Sequence, residues 1–297
     1  MQLGPTPSHA RGLDRRRRFR YVADVIRILE EHRTANLRYV VALADEASVE
    51  TVLYRGDSLC VSSQVGCAVG CPFCASGANG LARNLELDEL IGQVERVEAS
   101  LERSVARVTV SGVGEPLHNP AVVQFAHWCR ARGTPASITT SGGPLRKLEA
   151  WLGPDAPPHN GISVSIHAGR EPTRARTVPR GPALDPLFAL LREQVPRLSS
   201  SRRRKLALAY LLLADLNDDD AEIDAFLERA KPLELKVHLY RYNPVPTSTQ
   251  RQVSDERYVE VYERMCAEGL DVRRSSRARI EENGGCGTLV ALRRAKA

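Results

Sequence analysis

Along most of the chain, short aliphatic and β-branched runs alternate with longer stretches in which apolar residues recur at helical spacing. The short runs predict strands, and the longer stretches predict amphipathic helices. The predicted strands are residues 37–44, 49–54, 59–62, 107–111, 136–140, 161–166, 205–213, 235–240 and 271–274, and the clearest helices are 87–101, 120–132, 219–230 and 255–268. This alternation is typical of repeated βα units that build a parallel sheet.

About six strand–helix units are predicted, whereas a closed eight-unit barrel usually needs about 250 residues. The sequence therefore predicts an α/β fold with a partial parallel (βα)6-type barrel. Before the barrel, it predicts a short amphipathic helix over residues 21–32 and a β-hairpin from residues 37–44 and 49–54. The Pro- and Arg-rich stretch 170–186 is predicted to be a long irregular segment, and such loops tend to be functional.

Three of the seven cysteines crowd into one short stretch, Cys67-Ala-Val-Gly-Cys71-Pro-Phe-Cys74. In a cytosolic chain of this size, such a group indicates a metal site rather than a disulfide. A structural zinc ion needs a fourth ligand, and no further His or Cys lies within a short reach on either side. A four-iron cluster held by three cysteines keeps one iron open for another molecule. The spacing C-x3-C-x2-C therefore favours an iron–sulfur cluster, with zinc as the alternative.

This cysteine spacing, on the loop after the first barrel strand, resembles that of the radical S-adenosylmethionine (SAM) superfamily. Further segments narrow the resemblance to the RlmN/Cfr-type RNA adenine-C2 methyltransferases. The segments are 60–67 (CVSSQVGC), 80–85 (GLARNL), 112–117 (GVGEPL), 139–142 (TTSG), 163–168 (SVSIHA), 243–246 (NPVP) and 286–289 (CGTL). They lie in the family's order, so the resemblance implies a radical SAM methyltransferase that acts on an RNA adenosine.

The resemblance implies two cofactors, one 4Fe–4S cluster per chain and SAM. The cluster ligands would be Cys67, Cys71 and Cys74, and SAM would contact Gly114, Glu115, Thr139, Ser165, Ile166, His167 and Asn243. In catalysis, Cys286 would carry the methyl group to adenine C2. Cys60 would then release the product through a transient disulfide with Cys286. Glu50 would accept the C2 proton, with Cys60 as the alternative base.

The cysteines outside the cluster differ in their surroundings. Cys286 is flanked by glycines, which leave no neighbouring side chains to pack around a buried thiol. Cys60 ends the first barrel strand, so we expect it to face the same rim as the cysteine loop. Cys129 and Cys266 lie within helical periods, and we expect both in the core.

The resemblance also divides the chain into three parts. Residues 1–52 would be a truncated N-terminal extension with a helix and a hairpin, residues 53–281 the radical SAM core, and residues 282–297 a segment that carries Cys286. Family members carry a longer helical accessory domain before the position of Glu50. We therefore expect most of this RNA-recruiting module to be missing.

Charge and hydropathy bear on the partners. Lys and Arg together number 42 against 36 Asp and Glu, and nearly all of the basic residues are arginine, which suits phosphate contact. The Arg clusters at 15–18, 202–204, 273–279 and 293–294 are candidates for RNA contact, with dispersed surface charge as the alternative. No apolar stretch reaches the roughly 20 residues that a bilayer span needs, and the N-terminus has no apolar signal region.

We therefore expect a cytoplasmic monomer without membrane contact. The expected partners are ribosomal or transfer RNA and an electron donor such as flavodoxin or ferredoxin. The alternative substrate is a small heteroaromatic molecule or a peptide, modified by the same radical mechanism.

Overall fold

The computed structural model describes residues 26–275 and 288–294. Among these residues, twelve strands and nine helices follow in chain order. The strands are β1 Ile26–Arg33, β2 Leu37–Leu43, β3 Ser48–Tyr54, β4 Ser58–Val61, β5 Gln64–Gly66, β6 Leu81–Asn84, β7 Arg107–Val110, β8 Ser137–Thr140, β9 Gly161–Ser165, β10 Leu206–Leu212, β11 Lys236–Arg241 and β12 Val272–Arg274. The helices are α1 Leu87–Leu101, α2 Ala121–Ala131, α3 Leu145–Leu152, α4 Glu171–Thr177, α5 Leu184–Gln194, α6 Ser200–Arg203, α7 Asp220–Ala230, α8 Asp255–Ala267 and α9 Thr288–Arg294.

Ten strands form one sheet in the order β1-β2-β3-β4-β7-β8-β9-β10-β11-β12. The pairs from β4 to β12 are all parallel, and helices cross over between successive strands. The pairs from β1 to β4 are antiparallel. Within the described residues the sheet stays open, with β1 and β12 at its edges. The predicted partial parallel (βα)6-type barrel is confirmed, and so is the hairpin that precedes it.

The core lies between the outer face of the sheet and the helices that cover it. In α1, Leu90, Val94 and Val97 are buried at spacings of three and four residues, which place them on one face of the helix. They pack in one apolar cluster with outward strand residues such as Val108 and Val110 of β7. Burial of each such side chain contributes roughly 1.5–3 kcal/mol. The outer face of the barrel thus supplies much of its stability.

The β5–β6 hairpin is tied firmly to the start of α1. Arg83 of β6 donates two hydrogen bonds to the buried Glu89 carboxylate, at 2.7 and 2.8 Å, and one to Asp45 at 2.8 Å. The Glu89 carboxylate also accepts from the backbone N–H of Glu86, which completes a capping box at the helix start. Because the cysteine loop leaves from β5 and returns to β6, these bonds fix both ends of that loop.

The helix predicted over residues 21–32 is wrong for the described part of that range, residues 26–32. From Ile26 onward the chain forms β1, which pairs antiparallel with β2 and so satisfies its backbone groups. Ile26 packs onto Gly92 of α1, where an added Cβ would lie only 3.2 Å from the Ile26 side chain. Tertiary contacts of this kind override a local helical period.

Two further predictions are wrong. The stretch 170–186 is not an irregular loop, because it contains α4 and the start of α5. Proline is tolerated in the first turn of a helix, so the prolines there did not exclude one. Cys266 is exposed rather than buried, since α8 turns Tyr258, Val261 and Met265 towards the core. Cys129 is buried, as predicted.

No helix in the described part of the chain is both long enough and apolar enough to span a bilayer.

Candidate functional site

The inner face of the barrel is lined by small and polar side chains. Successive residues of a strand point to opposite faces, so the aliphatic residues of the parallel strands face outward and their neighbours face inward. Among the inward residues are Thr109, Ser111, Thr139, Ser163, Ser165, Ala207, Ala209, His238 and Tyr240. They line a cavity of about 630 Å³. Because these side chains do not fill the interior, the barrel keeps a space of ligand size.

The cysteine loop lies at one end of this cavity, and Cys67, Cys71 and Cys74 all line it. Gly66 begins the loop at a φ of +82°, and a Cβ there would lie 1.9 Å from the carbonyl oxygen of Gly80. Only glycine allows this close crossing of the two loop ends. The Cys67 N–H donates to the same carbonyl at 3.0 Å.

The three thiols affect one another electrostatically. Burial, together with negative charge on Cys74 and Glu115, raises the pKa of Cys67 to about 11. Burial also raises the pKa of Cys71, and negative charge on Cys74 and Cys67 adds to the effect. The thiols therefore stay protonated until a cation displaces their protons, which is how metal binding couples to proton release.

Within residues 26–275 and 288–294, no three His, Cys, Asp or Glu side chains converge as ligands of a single metal ion do. A four-iron cluster makes no such demand, because each cysteine binds a different iron. Three thiols on one loop, directed into one cavity, fit this larger group.

The residues predicted to contact SAM fall into two groups. Six of them line the same cavity as the cysteines, namely Gly114, Glu115, Thr139, Ser165, His167 and Asn243. Ile166 differs, because its side chain is fully buried in the apolar core. Its backbone carbonyl instead accepts a hydrogen bond from Arg174 at 2.8 Å. The strand ends and loops thus bring six of the seven predicted residues together.

Glu115 is a buried carboxylate that joins two loops. It accepts hydrogen bonds from the Thr140 hydroxyl at 2.5 Å, the Ser141 N–H at 2.7 Å and the Leu117 N–H at 3.2 Å. Burial raises the pKa of Glu115, and these donors oppose the rise. Its own backbone N–H donates to Gln64 at 2.7 Å. Glu115 thereby fixes the loops after β7 and β8 relative to the hairpin that carries the cysteine loop.

His167 is held as a neutral imidazole beside the cysteine loop. Burial, together with the nearby positive charge of Arg174, lowers the pKa of His167 to about 3. Its Nδ1 accepts from the Leu211 N–H at 2.9 Å, which leaves the proton on Nε2. The ring meets Phe73 edge to face, with centroids 5.3 Å apart. A φ of +55° at His167 is uncommon for a residue with a side chain and marks a tightly fixed position.

Cys60 and Glu50 lie on the inner face of neighbouring strands. Cys60 is opposite Val52 in the β3–β4 register and opposite Thr109 in the β4–β7 register, and its Sγ lies 3.1 Å from the Ser111 Oγ. Glu50 is two residues before Val52, so it shares the face of Cys60 at a diagonal distance of about 7–8 Å. Both residues are buried. The register thus places a thiol and a carboxylate side by side.

Helix α9 packs beside Glu50 and the cysteine loop. The Leu289 N–H donates to the Glu50 Oε2 at 3.2 Å. Ala291 packs with Ala75, the residue after Cys74, and with Val245. Cys286 and the Arg cluster 15–18 lie outside the described residues.

Some predicted RNA-binding arginines have local partners. Arg203 pairs with Glu234 at 2.7 Å, and Arg202 donates to the Leu152 carbonyl at 3.2 Å. Arg273 pairs with Asp271 at 3.2 Å, and the Arg274 guanidinium lies 4.4 Å from the centre of the Tyr262 ring. These contacts favour surface and structural roles for the four arginines, whereas Arg204 lines the cavity.

The sequence analysis missed the polar inner face of the barrel and the buried Arg174. The inner face has a signal, because small polar residues alternate with Val and Ile in Arg107–Val110 and Gly161–Ser165. The burial of Arg174 has no such signal, since arginines are common throughout this chain.

We expect Gly114→Ala to lower the free energy of unfolding by about 1–3 kcal/mol more than Gly133→Ala does, because overpacking adds that cost. Both glycines have positive φ, +108° and +80°, so both changes strain the backbone. At Gly114 the new Cβ would also lie 2.6 Å from the Gln64 Cβ, whereas nothing lies within 4 Å at Gly133. Denaturant unfolding measures the difference, and equal losses would contradict the close approach.

The radical SAM superfamily model matches residues 61–227 of this chain. A probable RNA methyltransferase of Leptothrix cholodnii is 32% identical over 259 residues, which are 86% of this chain and 73% of the relative. The dual-specificity RNA methyltransferase RlmN of Sorangium cellulosum is 34% identical over 242 residues, which are 78% of this chain and 61% of that protein.

Solved structures agree with these matches. The crystal structure of a radical SAM methyltransferase from Sphaerobacter thermophilus matches with a TM-score of 0.78 and 28% identity, over 93% of this chain and 85% of that chain. Streptococcus suis SuiB bound to S-adenosylmethionine shares the fold, with a TM-score of 0.57 and 12% identity, over 73% of this chain and 50% of that one. The chain therefore belongs to the radical SAM superfamily and, within it, to the RlmN-like family of RNA methyltransferases.

Proposed function

We propose that the protein methylates C2 of an adenosine in ribosomal or transfer RNA, with a methyl group that passes through Cys286. The observation that carries this proposal is the hydrogen bond from Leu289 to Glu50. Leu289 lies three positions after Cys286, which limits their Cα atoms to about 11 Å apart. This chain length allows Cys286 to reach Glu50, which supports the proposed role of its thiol.

Cys67, Cys71 and Cys74 would hold a 4Fe–4S cluster through three thiolates. Glu115, Ser165, His167 and Asn243 would surround SAM in the cavity with acceptors and donors that suit its ammonium, hydroxyl and adenine groups. When bound, this pair supplies the one-electron chemistry that starts the reaction. Such chemistry is needed because adenine C2 is an electron-poor carbon and does not attack a methyl group as a nucleophile.

Cys286 would take part in the reaction through its sulfur. Its thiolate would accept a methyl group from one SAM by displacement, which releases the demethylated cofactor, and the thiol proton would be lost to solvent. The one-electron chemistry of a second SAM with the cluster would then take up one hydrogen atom from this S-methyl group, and the remaining methylene carbon would bond to adenine C2. The base and the protein are then joined through a thioether.

Glu50 and Cys60 would complete the cycle. Glu50 would accept the proton from C2, and the adduct would return one electron to the redox cofactor, so that the ring recovers its aromaticity. The Cys60 thiolate would then attack the sulfur of Cys286, so that a disulfide forms, the sulfur–carbon bond breaks and the released carbon takes up a proton to become the methyl group of the product. Their neighbouring positions on β3 and β4 support Glu50 as the base and Cys60 as the residue that releases the product. Cys60 is the alternative base, and a flavodoxin or ferredoxin is the expected electron donor.

Nucleoside analysis tests the proposal. Holoenzyme, SAM and a reductant are incubated with ribosomal RNA, with transfer RNA and, as a third sample, with small heteroaromatic molecules and peptides. We expect 2-methyladenosine to accumulate in one of the RNA samples in an amount that exceeds the enzyme. Methylation confined to the non-RNA sample would overturn the RNA assignment and leave the radical chemistry intact.

A further inference from the structure

Arg174, in α4, is a fully buried guanidinium that binds only backbone carbonyls. Its Nη1 donates to Ser165 at 2.7 Å and Ile166 at 2.8 Å, its Nη2 to Ser141 at 2.7 Å, and its Nε to Pro182 at 3.0 Å. Among the described residues, no carboxylate forms an ion pair with it. Burying a charge without an ion-pair partner costs free energy. We therefore expect Arg174 to have a function that offsets this cost.

The carbonyls that Arg174 binds lie at the ends of two strands that form the cavity rim. Ser141 follows β8, Ser165 ends β9 and Ile166 follows it. Thr139 and Ser165, which line the cavity, belong to these same segments. One planar group with fixed donor directions therefore sets the separation of two neighbouring strand ends.

The segment after Arg174 packs directly against the cysteine loop. Val178 contacts Cys67, Val69 and Cys71 in a small apolar cluster. Arg180 donates to the Ala68 carbonyl inside the loop at 2.6 Å. The Arg174 guanidinium borders the same cluster, because a Cβ added at Gly181 would lie 3.1 Å from the Arg174 Nη2 and 2.6 Å from the Val178 Cγ1. The residues that follow α4 thus hold the loop through packing and a hydrogen bond, with the buried charge of Arg174 beside them.

We propose that Arg174 is a positioning residue with an electrostatic function: it aligns the rim that binds SAM, and its unpaired positive charge makes the iron–sulfur cluster easier to reduce. The charge favours the reduced, more negative cluster because a buried environment screens it weakly. This inference rests on the proposed cluster and SAM site and needs no RNA. If the proposed cluster and SAM site are wrong, the unmodified protein itself will hold no cluster or bind no SAM. If only this inference is wrong, the unmodified protein will hold both, and the Arg174 variants will not differ from it as expected.

The test compares Arg174→Gln, which removes the charge, with Arg174→Lys, which keeps it but cannot reach all four carbonyls. Reduction potentials are measured anaerobically by spectroscopic titration of the reconstituted proteins. For Arg174→Gln we expect the equilibrium constant for reduction to fall at least about tenfold, which is 59 mV for one electron. Arg174→Lys should keep the original potential but bind SAM about tenfold more weakly, since it loses charge-assisted hydrogen bonds.

Arg96→Gln is the matched control, because Arg96 also donates to a backbone carbonyl, that of Ile26 at 2.9 Å, from a partly buried site on α1. Its potential and SAM affinity should match those of the unmodified protein. An unchanged potential in Arg174→Gln would overturn the electrostatic part, and so would an equal shift in Arg174→Lys. If Arg174→Gln does not fold, the measurements on Arg174→Lys test the inference. Unchanged SAM affinity in Arg174→Lys would overturn it, and weaker SAM binding with an unchanged reduction potential would support it.

Discussion

Cys60→Ala is expected to leave the protein covalently joined to its RNA substrate. The variant keeps Cys286, so it can accept the methyl group and bond it to adenine. Without the Cys60 thiol, no disulfide forms and the thioether between protein and base persists. Denaturing electrophoresis should therefore show a slow-migrating, nuclease-sensitive species, and mass spectrometry of the digested protein should locate the modified base on Cys286.

Cys286→Ala is expected to give the opposite result. This variant can still bind SAM, but it has no sulfur to accept the methyl group, so no adduct and no methylated RNA should form. Cys60→Ala/Cys286→Ala should behave in the same way. Cys266→Ala is the matched control, because Cys266 is an exposed cysteine on α8, and it should retain full activity. Full methylation by Cys286→Ala would contradict the mechanism, and an inactive Cys60→Ala without adduct would favour Cys60 as the base.

Cys71→Ser is expected to abolish the iron–sulfur cluster. A serine hydroxyl has a far higher pKa than a thiol and is a poor ligand for iron, and two cysteines alone do not hold a four-iron cluster. After anaerobic reconstitution, we expect about four irons and a brown colour in the unmodified protein and in Cys266→Ser. Cys71→Ser should hold little iron and cleave no SAM.

Reconstitution should also be more complete at higher pH. Burial raises the pKa values of Cys67 and Cys71, so their protons must leave before iron binds, and raising the pH towards about 11 favours this loss. Iron content is measured against pH, with protein folding checked at each point. One zinc ion per chain and no colour after reconstitution would contradict the cluster assignment.

Much of the barrel could be predicted because its signals are local. The strand and helix periods are read from neighbouring residues, and α1 spans Leu87–Leu101 as its apolar spacing predicts. The cysteine loop was also predictable, since three cysteines and two glycines lie within one short stretch. The strand-end segments of the cavity were identified by resemblance to a family, and the geometry brings most of them together.

The remaining features depend on contacts between distant parts of the chain. Ile26 begins a strand because β1 pairs with β2 and because the Ile26 side chain packs against Gly92, and these partners are distant from Ile26 in the sequence. Arg174 is buried because four carbonyls from three segments converge on it. Among more than thirty arginines, no local pattern distinguishes it from those on the surface. The contact between Leu289 and Glu50 joins residues 239 positions apart.

The most direct test of the central claim is the isotopic composition of the methyl group in the product. RNA is methylated with SAM that carries three deuterium atoms on its methyl group. The nucleosides are then separated, and their masses are measured by mass spectrometry. We predict 2-methyladenosine whose methyl group retains two of these deuterium atoms, because one hydrogen is removed from the S-methyl group of Cys286 before transfer. Retention of all three deuterium atoms would indicate direct displacement and contradict the account.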